Sequence, residues 1–297
     1  MNAKKPYALF SFDCESDARS LIPSRPERSC KGDFGRVLCV CGSKGMAGAA
    51  YLSAKGAYRT GAGLVEIFTH ESNRIILQTL LPEAIVTTFE SYSRDALLNS
   101  IEKADCIVAG CGMGVTPESR ALLSDLLHSV DSSRTPLVLD ADALNLISRN
   151  PSLLKYTKGA VITPHAKEMS RLTGYSIAEI LANPSDIAYS YAQKHSLVCV
   201  LKDHHTVVSD GGDSLYINKS GNSGMATGGS GDVLSGILGG ILAQRKNGSL
   251  TPLNAATLGV YIHGLCGDEA AASLGEHSVM ASDIINALPT VLKRITQ

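Results

Sequence analysis

Asn218-Lys219-Ser220-Gly221-Asn222-Ser223-Gly224-Met225-Ala226-Thr227-Gly228-Gly229-Ser230-Gly231-Asp232-Val233-Leu234-Ser235-Gly236 is the stretch on which the fold turns. Glycines at 228, 229 and 231 permit a sharp turn, and the apolar run that follows reads as a helix over 232–244. Such a turn exposes backbone N–H groups beside a helix N-terminus, where the aligned peptide dipoles stabilise phosphate oxygens. Asp232 falls in the first helical turn. There a carboxylate can take a proton from an attacking hydroxyl while the amides hold a phosphoryl group in transfer. An Asp at this position also stabilises the helix dipole with no chemistry involved. The segment lacks G-x-x-x-x-G-K-[ST] and does not follow the first strand, so it is neither a P-loop nor a dinucleotide fingerprint.

Working outward, short apolar runs at 37–41, 64–68, 84–88, 106–109, 136–139, 160–162 and 197–201 predict strands. They are too continuously apolar for one-sided surface strands, so most should be parallel and buried between helices. Helices are expected over 116–129, 143–148, 167–173, 184–194, 252–274 and 280–294, and the Ala- and Gly-rich stretch 44–60 has the wording of a strand-to-helix unit. Pro117, Pro184 and Pro252 stand where helices can begin, with Thr116, Asn183 and Thr251 as caps. Residues 205–209 and 214–218, joined by Asp210-Gly211-Gly212-Asp213, predict an antiparallel hairpin added to the sheet edge.

Two more glycine groups end strands: Gly42, Gly45 and Gly48 after the first, and Gly110, Gly112 and Gly114 after residues 106–109. In open α/β sheets ligands bind at the carboxyl ends of strands. Three close-approach loops there favour a polar ligand of nucleotide size or larger. Asp142 and Asn145, in Asp140-Ala141-Asp142-Ala143-Leu144-Asn145, and Glu168, three residues beyond His165, face the same side and can also cap the next helices. His165 can donate to a ligand amide or phosphate. Lys202 in Lys202-Asp203-His204-His205-Thr206 can meet a nucleotide phosphate, and His263 reads as buried or lining a nucleotide pocket.

The chain of 297 residues, with 44% hydrophobic residues and a formal charge of -1, fits an ordinary globular protein with no basic excess for nucleic acid. The arithmetic of length favours two domains. No polar linker or repeat divides the middle, however, so one domain over 26–297 with a separable leader over 1–25 is expected. The apolar run 233–243 is too short for a bilayer span, and Asp13, Glu15 and Asp17 interrupt any signal peptide. The 8 Cys stand largely in apolar contexts, as in a reduced, cytoplasmic protein. No H-E-x-x-H or Cys/His cluster marks a transition-metal site, no G-x-S-x-G elbow marks a hydrolase, and magnesium held mainly by phosphates stays open.

Gly229-Ser230-Gly231-Asp232 has the G-x-G-D form of the ribokinase-like superfamily, and the whole pattern resembles the ADP-dependent NAD(P)H-hydrate dehydratases from about Arg25 to about Ala287. The motifs that carry the resemblance are Lys31-Gly32-Asp33-Phe34-Gly35-Arg36, the 42–49 loop, Arg59-Thr60-Gly61-Ala62-Gly63-Leu64-Val65, the 140–145 segment, Thr163-Pro164-His165 and the 221–236 segment. It implies a ribokinase-like three-layer α/β sandwich with a mostly parallel central sheet. The implied reaction is ADP-dependent repair of hydrated NADH and NADPH (NADHX and NADPHX) by hydroxyl phosphorylation and phosphate loss.

The resemblance further implies Asp232 as the base, with Gly229 and Gly231 in the anion hole and Gly231 also touching the nucleotide. Lys202, Asp203, His204, His205 and Thr206 would line the nucleotide site. Ala49, Gly112, His165 and Asp232 would contact the hydrated dinucleotide, with Asn145 nearby and Glu168 reaching Mg2+ through water. A homotetramer and a separate NAD(P)HX epimerase as functional partner are also implied. Asp203 stands where the family usually has glycine, and Ser223 replaces the commoner proline of Asn-Pro-Gly. A vitamin-precursor kinase of the same fold and an inactive nucleotide-binding regulator are the competing readings.

Overall fold

In the computed structural model, which describes residues 6–12, 14–244 and 250–297, successive residues of each central strand enter opposite layers. Val37, Cys39 and Cys41 join one apolar cluster, and Leu38 and Val40 the other. Cys106 and Val108 face the first layer while Ile107 and Ala109 face the second, and Val198 and Val200 likewise oppose Cys199 and Leu201. Burial on both faces is the reason these runs lack polar alternation.

Ten strands form one sheet: β1 (Ala8–Leu9), β2 (Arg36–Val40), β3 (Leu64–His70), β4 (Ile85–Phe89), β5 (Cys106–Ala109), β6 (Leu137–Leu139), β7 (Val161–Ile162), β8 (Val198–Leu201), β9 (Val207–Ser209) and β10 (Ser214–Ile217). Their spatial order is β1-β10-β9-β8-β7-β6-β5-β2-β3-β4. From β4 to β8 every pairing is parallel, and β9 and β10 add the antiparallel hairpin expected from the sequence. The helices are α1 (Glu15–Leu21), α2 (Ala47–Arg59), α3 (Arg74–Leu80), α4 (Arg94–Ile101), α5 (Pro117–Ser129), α6 (Ala141–Arg149), α7 (Ala166–Thr173), α8 (Ile177–Ala182), α9 (Pro184–His195), α10 (Ser230–Ala243), α11 (Pro252–Leu274) and α12 (Ala281–Thr296). Residues from α2, α10, α11 and α12 supply the first apolar layer, and residues from α4, α5, α6, α7, α8 and α9 the second. No described helix is long and apolar enough to cross a membrane. All eight cysteines are free, six of them buried.

Several expectations change. The leader does not stand apart: β1 pairs with β10 at the sheet edge, and Ala18 of α1 is fully buried in the first layer. Its polar residues obscured the apolar ones that pack. Proline opens α5, α9 and α11, and the Thr116 and Thr251 side chains accept from Ser119 N and Asn254 N. Asn183, by contrast, makes no side-chain cap bond. The helix expected over 232–244 is found as α10, with Gln244 as its C-cap residue.

α10 crosses α2 through small residues. A Cβ on Gly236 would lie 2.0 Å from the Ser53 carbonyl oxygen, and one on Gly240 2.1 Å from Thr60 Oγ1. Because backbone meets backbone there, no rotamer change relieves an added methyl. Gly236→Ala is therefore expected to lower the unfolding midpoint in denaturant by an amount corresponding to about 1–3 kcal/mol. An unchanged midpoint would contradict this packing.

Candidate active site

Chain direction brings the site together at the carboxyl ends of the parallel strands. Asp140 ends β6, His165 follows β7, Lys202 follows β8, and Gly110 to Gly114 follow β5. At its centre Lys202 Nζ donates to Asp140 Oδ1 at 2.7 Å, while Ser235 Oγ from α10 donates to Asp140 Oδ2 at 2.8 Å. The Asp140 side chain is 2% exposed and that of Lys202 20%, which makes this a desolvated pair. Burial works against the Lys202 ammonium, but Asp140 and Glu168 outweigh it and hold its pKa above the ordinary lysine value.

Local backbone explains how Asp140 arrives there. Gly110 has φ +121, and a Cβ on it would lie 1.9 Å from the Asp140 carbonyl oxygen, so no side chain fits. Ala141, the next residue after Asp140, has φ +48, a conformation that costs an L-residue free energy and recurs at functional sites. Asp140, not Asp142, is the cap position of α6. Asp142 instead accepts from Gly114 N at 2.8 Å and from Asn145 Nδ2 at 3.2 Å, tying the third glycine loop to the helix.

Gly229 opens α10 with φ +92, and no side chain caps the helix there. A Cβ on Gly231 would lie 3.2 Å from Lys202 Nζ and 3.6 Å from Asp140 Oδ2, so the glycine turn sits directly over the ion pair. Asp232 is drawn into the same place: ligand atoms of Cys111, Asp140 and Asp232 all lie within 4.8 Å of one another. Burial, and then the charge of Asp140, push Asp232 up to about 6 against the pull of Lys202. A hydrogen bond with Cys41, and then burial, push the Cys111 thiol well above its ordinary value.

Of the other residues expected from the sequence, Gly112 and Ala49 meet, since a Cβ on Gly112 would lie 2.8 Å from that of Ala49. His165 adjoins Lys202 through a parallel bridge, with Lys202 N donating to Pro164 O at 2.8 Å. Its Nδ1 accepts from Lys167 N and Glu168 N at 3.1 and 3.2 Å, so the ring proton resides on Nε2. Glu168 completes the capping box by accepting from His165 N at 3.0 Å, and burial pushes its carboxyl up to about 7. Asn145 stands in the next ring, accepting from Arg171 at 2.5 Å.

Asp203, His204 and His205 form an exposed turn beyond Lys202, with Thr206 half-buried at its end. His263 is buried beneath α10, its Nε2 3.4 Å from Ser230 Oγ, and burial drives its pKa down to about 4. The Gly221–Asn222 loop is held by Asp268, which accepts from Gly221 N at 2.9 Å and from Asn222 Nδ2 at 3.0 Å. Sequence reasoning missed Asp140 and Ser235. The available signal was an Asp placed directly after the apolar run 137–139, at a strand's carboxyl end.

Residues 37–290 match the family described as NAD(P)H-hydrate dehydratase. Among curated relatives, the bifunctional NAD(P)H-hydrate repair enzyme of Escherichia coli is 39% identical over 281 residues, covering 95% of this chain and 52% of that one. The ADP-dependent (S)-NAD(P)H-hydrate dehydratase of Enterococcus faecalis is 35% identical over 279 residues, 93% of this chain and 91% of that one. This chain thus spans about half the length of the bifunctional relatives and nearly all of the shorter one. The structure of ADP/ATP-dependent NAD(P)H-hydrate dehydratase from Bacillus subtilis, co-crystallised with ATP/Mg2+, superimposes with a TM-score of 0.80 at 29% identity, covering 95% of this chain and 97% of that one. The ribokinase-like sandwich expected from the motifs is the fold found.

The raised Asp232 pKa has a consequence for stability. Between the ordinary 3.8 and about 6 the native carboxyl binds more protons than the unfolded one, so stability falls as pH rises through this window. Asp232→Asn removes that cost. The variant should melt above the parent at about pH 7, with the gain vanishing as pH falls to about 4. A variant that melts lower throughout would contradict the assigned environment.

Proposed function

Because the chain belongs to the NAD(P)H-hydrate dehydratase family, we propose that it converts the (S)-epimers of NADHX and NADPHX back to NADH and NADPH, with ADP as phosphoryl donor. The observation that carries this reading is a half-buried carboxyl with its pKa pushed up to about 6, Asp232, in the uncapped first turn of α10 beside Lys202. A hydroxyl is a poor leaving group and a phosphate ester a good one, so one phosphoryl-transfer site suffices for an apparent dehydration.

Asp232 accepts the proton of the ring hydroxyl, whose oxygen forms a bond to the β-phosphorus of ADP as the bond to AMP breaks. Amides around Gly229 and Gly231 hold the transferring group, and Lys202 offsets its negative charge. The adjacent ring nitrogen then donates its electron pair as the carbon–oxygen bond breaks and phosphate departs. Loss of a proton from the neighbouring carbon restores the dihydropyridine. Ala49, Gly112 and the Nε2–H of His165 border the dinucleotide, with Asn145 behind them, and Lys202 to Thr206 border the nucleotide. Asp203, His204 and His205 are exposed enough for a base or ribose to lie across them.

Magnesium bound with the nucleotide would neutralise phosphate charge. Glu168 fits an outer position through water: its carboxyl is buried, with burial favouring the neutral form that a dication would displace. Asp140 already accepts from Lys202 and Ser235, one on each oxygen. We read the protein as a cytoplasmic homo-oligomer, expected to be a tetramer, acting with an NAD(P)HX epimerase. Exposed Ile75, Ile76, Leu80 and Ile85 along the outer edge of the sheet support self-association.

With (S)-NADHX and ADP, recovery of NADH absorbance is expected, and Asp232→Asn should slow it about 10²-fold or more while leaving ADP affinity nearly intact. ADP-dependent phosphorylation of a small alcohol without NADH recovery would sink the assignment in favour of a kinase. Equal turnover by Asp232→Asn would remove Asp232 as the base.

A further inference from the structure

α10 runs from Asp232 to the opposite end of the sheet, about 20 Å away at 1.5 Å per residue. There its last turn forms one wall of a cavity of about 510 Å³ between α2, α11, α12 and the segment after α1. The floor is apolar, made by Ile241, Leu258, Ile262 and Leu292. Around it stand Arg19, Arg25, Arg59 and Lys293, and no Asp or Glu lines it.

Some surface cations of the chain are paired with carboxylates. Arg294, one position along α12, pairs with Glu15 and Glu269, and Arg74 pairs with Glu71. None of the four cavity cations has a carboxylate partner among the described residues. Two are held in place by neighbouring groups. The Arg25 guanidinium lies 3.7 Å over the Phe34 ring with one nitrogen 3.5 Å from Gly61 O, and Arg19 Nε donates to Ile295 O at 2.7 Å. Arg19, Arg59 and Lys293 each lie in the last turn of a helix and offset its dipole. That role accounts for a surface cation, but not for a shared apolar concavity beneath three of them. Positive charge gathered without counter-charge around a concave low-dielectric surface attracts an anion.

We propose that this cavity is a second ligand site, for a small amphipathic anion. Its carboxylate or phosphate lies among Arg25, Arg59, Arg19 and Lys293, and its aliphatic body covers Ile241, Leu258, Ile262 and Leu292. The four aliphatic side chains of the floor match an aliphatic tail. The proposal stands on this cavity alone and does not depend on the reaction assigned to Asp232.

Calorimetric titration of the full chain tests it, with dodecanoate and dodecyl phosphate kept below their micelle concentrations. Acetate and dodecyltrimethylammonium serve as the controls lacking the tail and reversing the charge. One saturable site is expected for both dodecyl anions and none for the controls, and the stronger binder of the two identifies the preferred head group. Charge reversal in Arg25→Glu/Arg59→Glu should weaken binding roughly tenfold or more, with NADH recovery from NADHX unchanged. Arg59→Gln, a milder change at an exposed position, should weaken it in the same direction if the double variant does not fold. Absence of saturable binding, equal binding of the cationic surfactant, or full affinity in both variants would overturn the proposal. So would dissociation of an oligomer by Arg25→Glu/Arg59→Glu in sedimentation, which would assign the face to a second copy of the chain.

Discussion

Lys202 and Asp140 meet at 2.7 Å at the ends of β8 and β6, spanning the shorter β7 between them. The remaining Asp140 oxygen takes the Ser235 hydroxyl at 2.8 Å, so one buried carboxylate fixes two strands and α10 together. Such a pair is expensive to desolvate, and its net contribution to folding is small. Removing one partner, however, strands the other charge and costs about 3–5 kcal/mol. Its importance is therefore positional. Gly231 brings the first turn of α10 into contact with Lys202 and Asp140, while Leu52, Ala281 and a φ of +92 hold Gly229 to glycine.

That arrangement carries a cost in stability which the rest of the chain offsets. Asp232 is half-buried beside a like charge, Ala141 is held at φ +48, and the first turn of α10 has no side-chain cap. Against these stand two apolar layers on either face of the sheet and the tight crossing of α2 and α10 at Gly236 and Gly240. Stability given up at one point for a charge distribution that suits phosphoryl transfer is the usual compromise of an enzyme site. Asp232 and Glu168 differ in setting: burial and Asp140 push the first up to about 6, whereas the second is engaged with a helix cap.

Most of the parallel sheet was legible because burial on both faces leaves unbroken apolar runs, as in 37–41 and 106–109. The hairpin was legible from Asp210-Gly211-Gly212-Asp213. α3, α4 and α8 were not, since their sequences are short and α3 exposes Ile75, Ile76 and Leu80 where periodicity demands polar residues. At the site, Asp232 was legible from its glycines and Lys202 from its position after a strand. Asp140 escaped notice because an Asp before a helix has an ordinary capping role, and only three-dimensional packing shows the Lys202 ammonium against it. Asp142 and Asn145, expected as caps, instead brace the Gly114 loop and Arg171.

The central claim is that water leaves hydrated NADH as phosphate, with the substrate hydroxyl oxygen carried onto the phosphoryl group. The most direct measurement follows an isotopic label in that hydroxyl oxygen through a complete turnover with ADP, by mass spectrometry of the inorganic phosphate released. The account predicts the label in phosphate, with one AMP formed for each NADH recovered. Label appearing in water, with phosphate unlabelled, would contradict it.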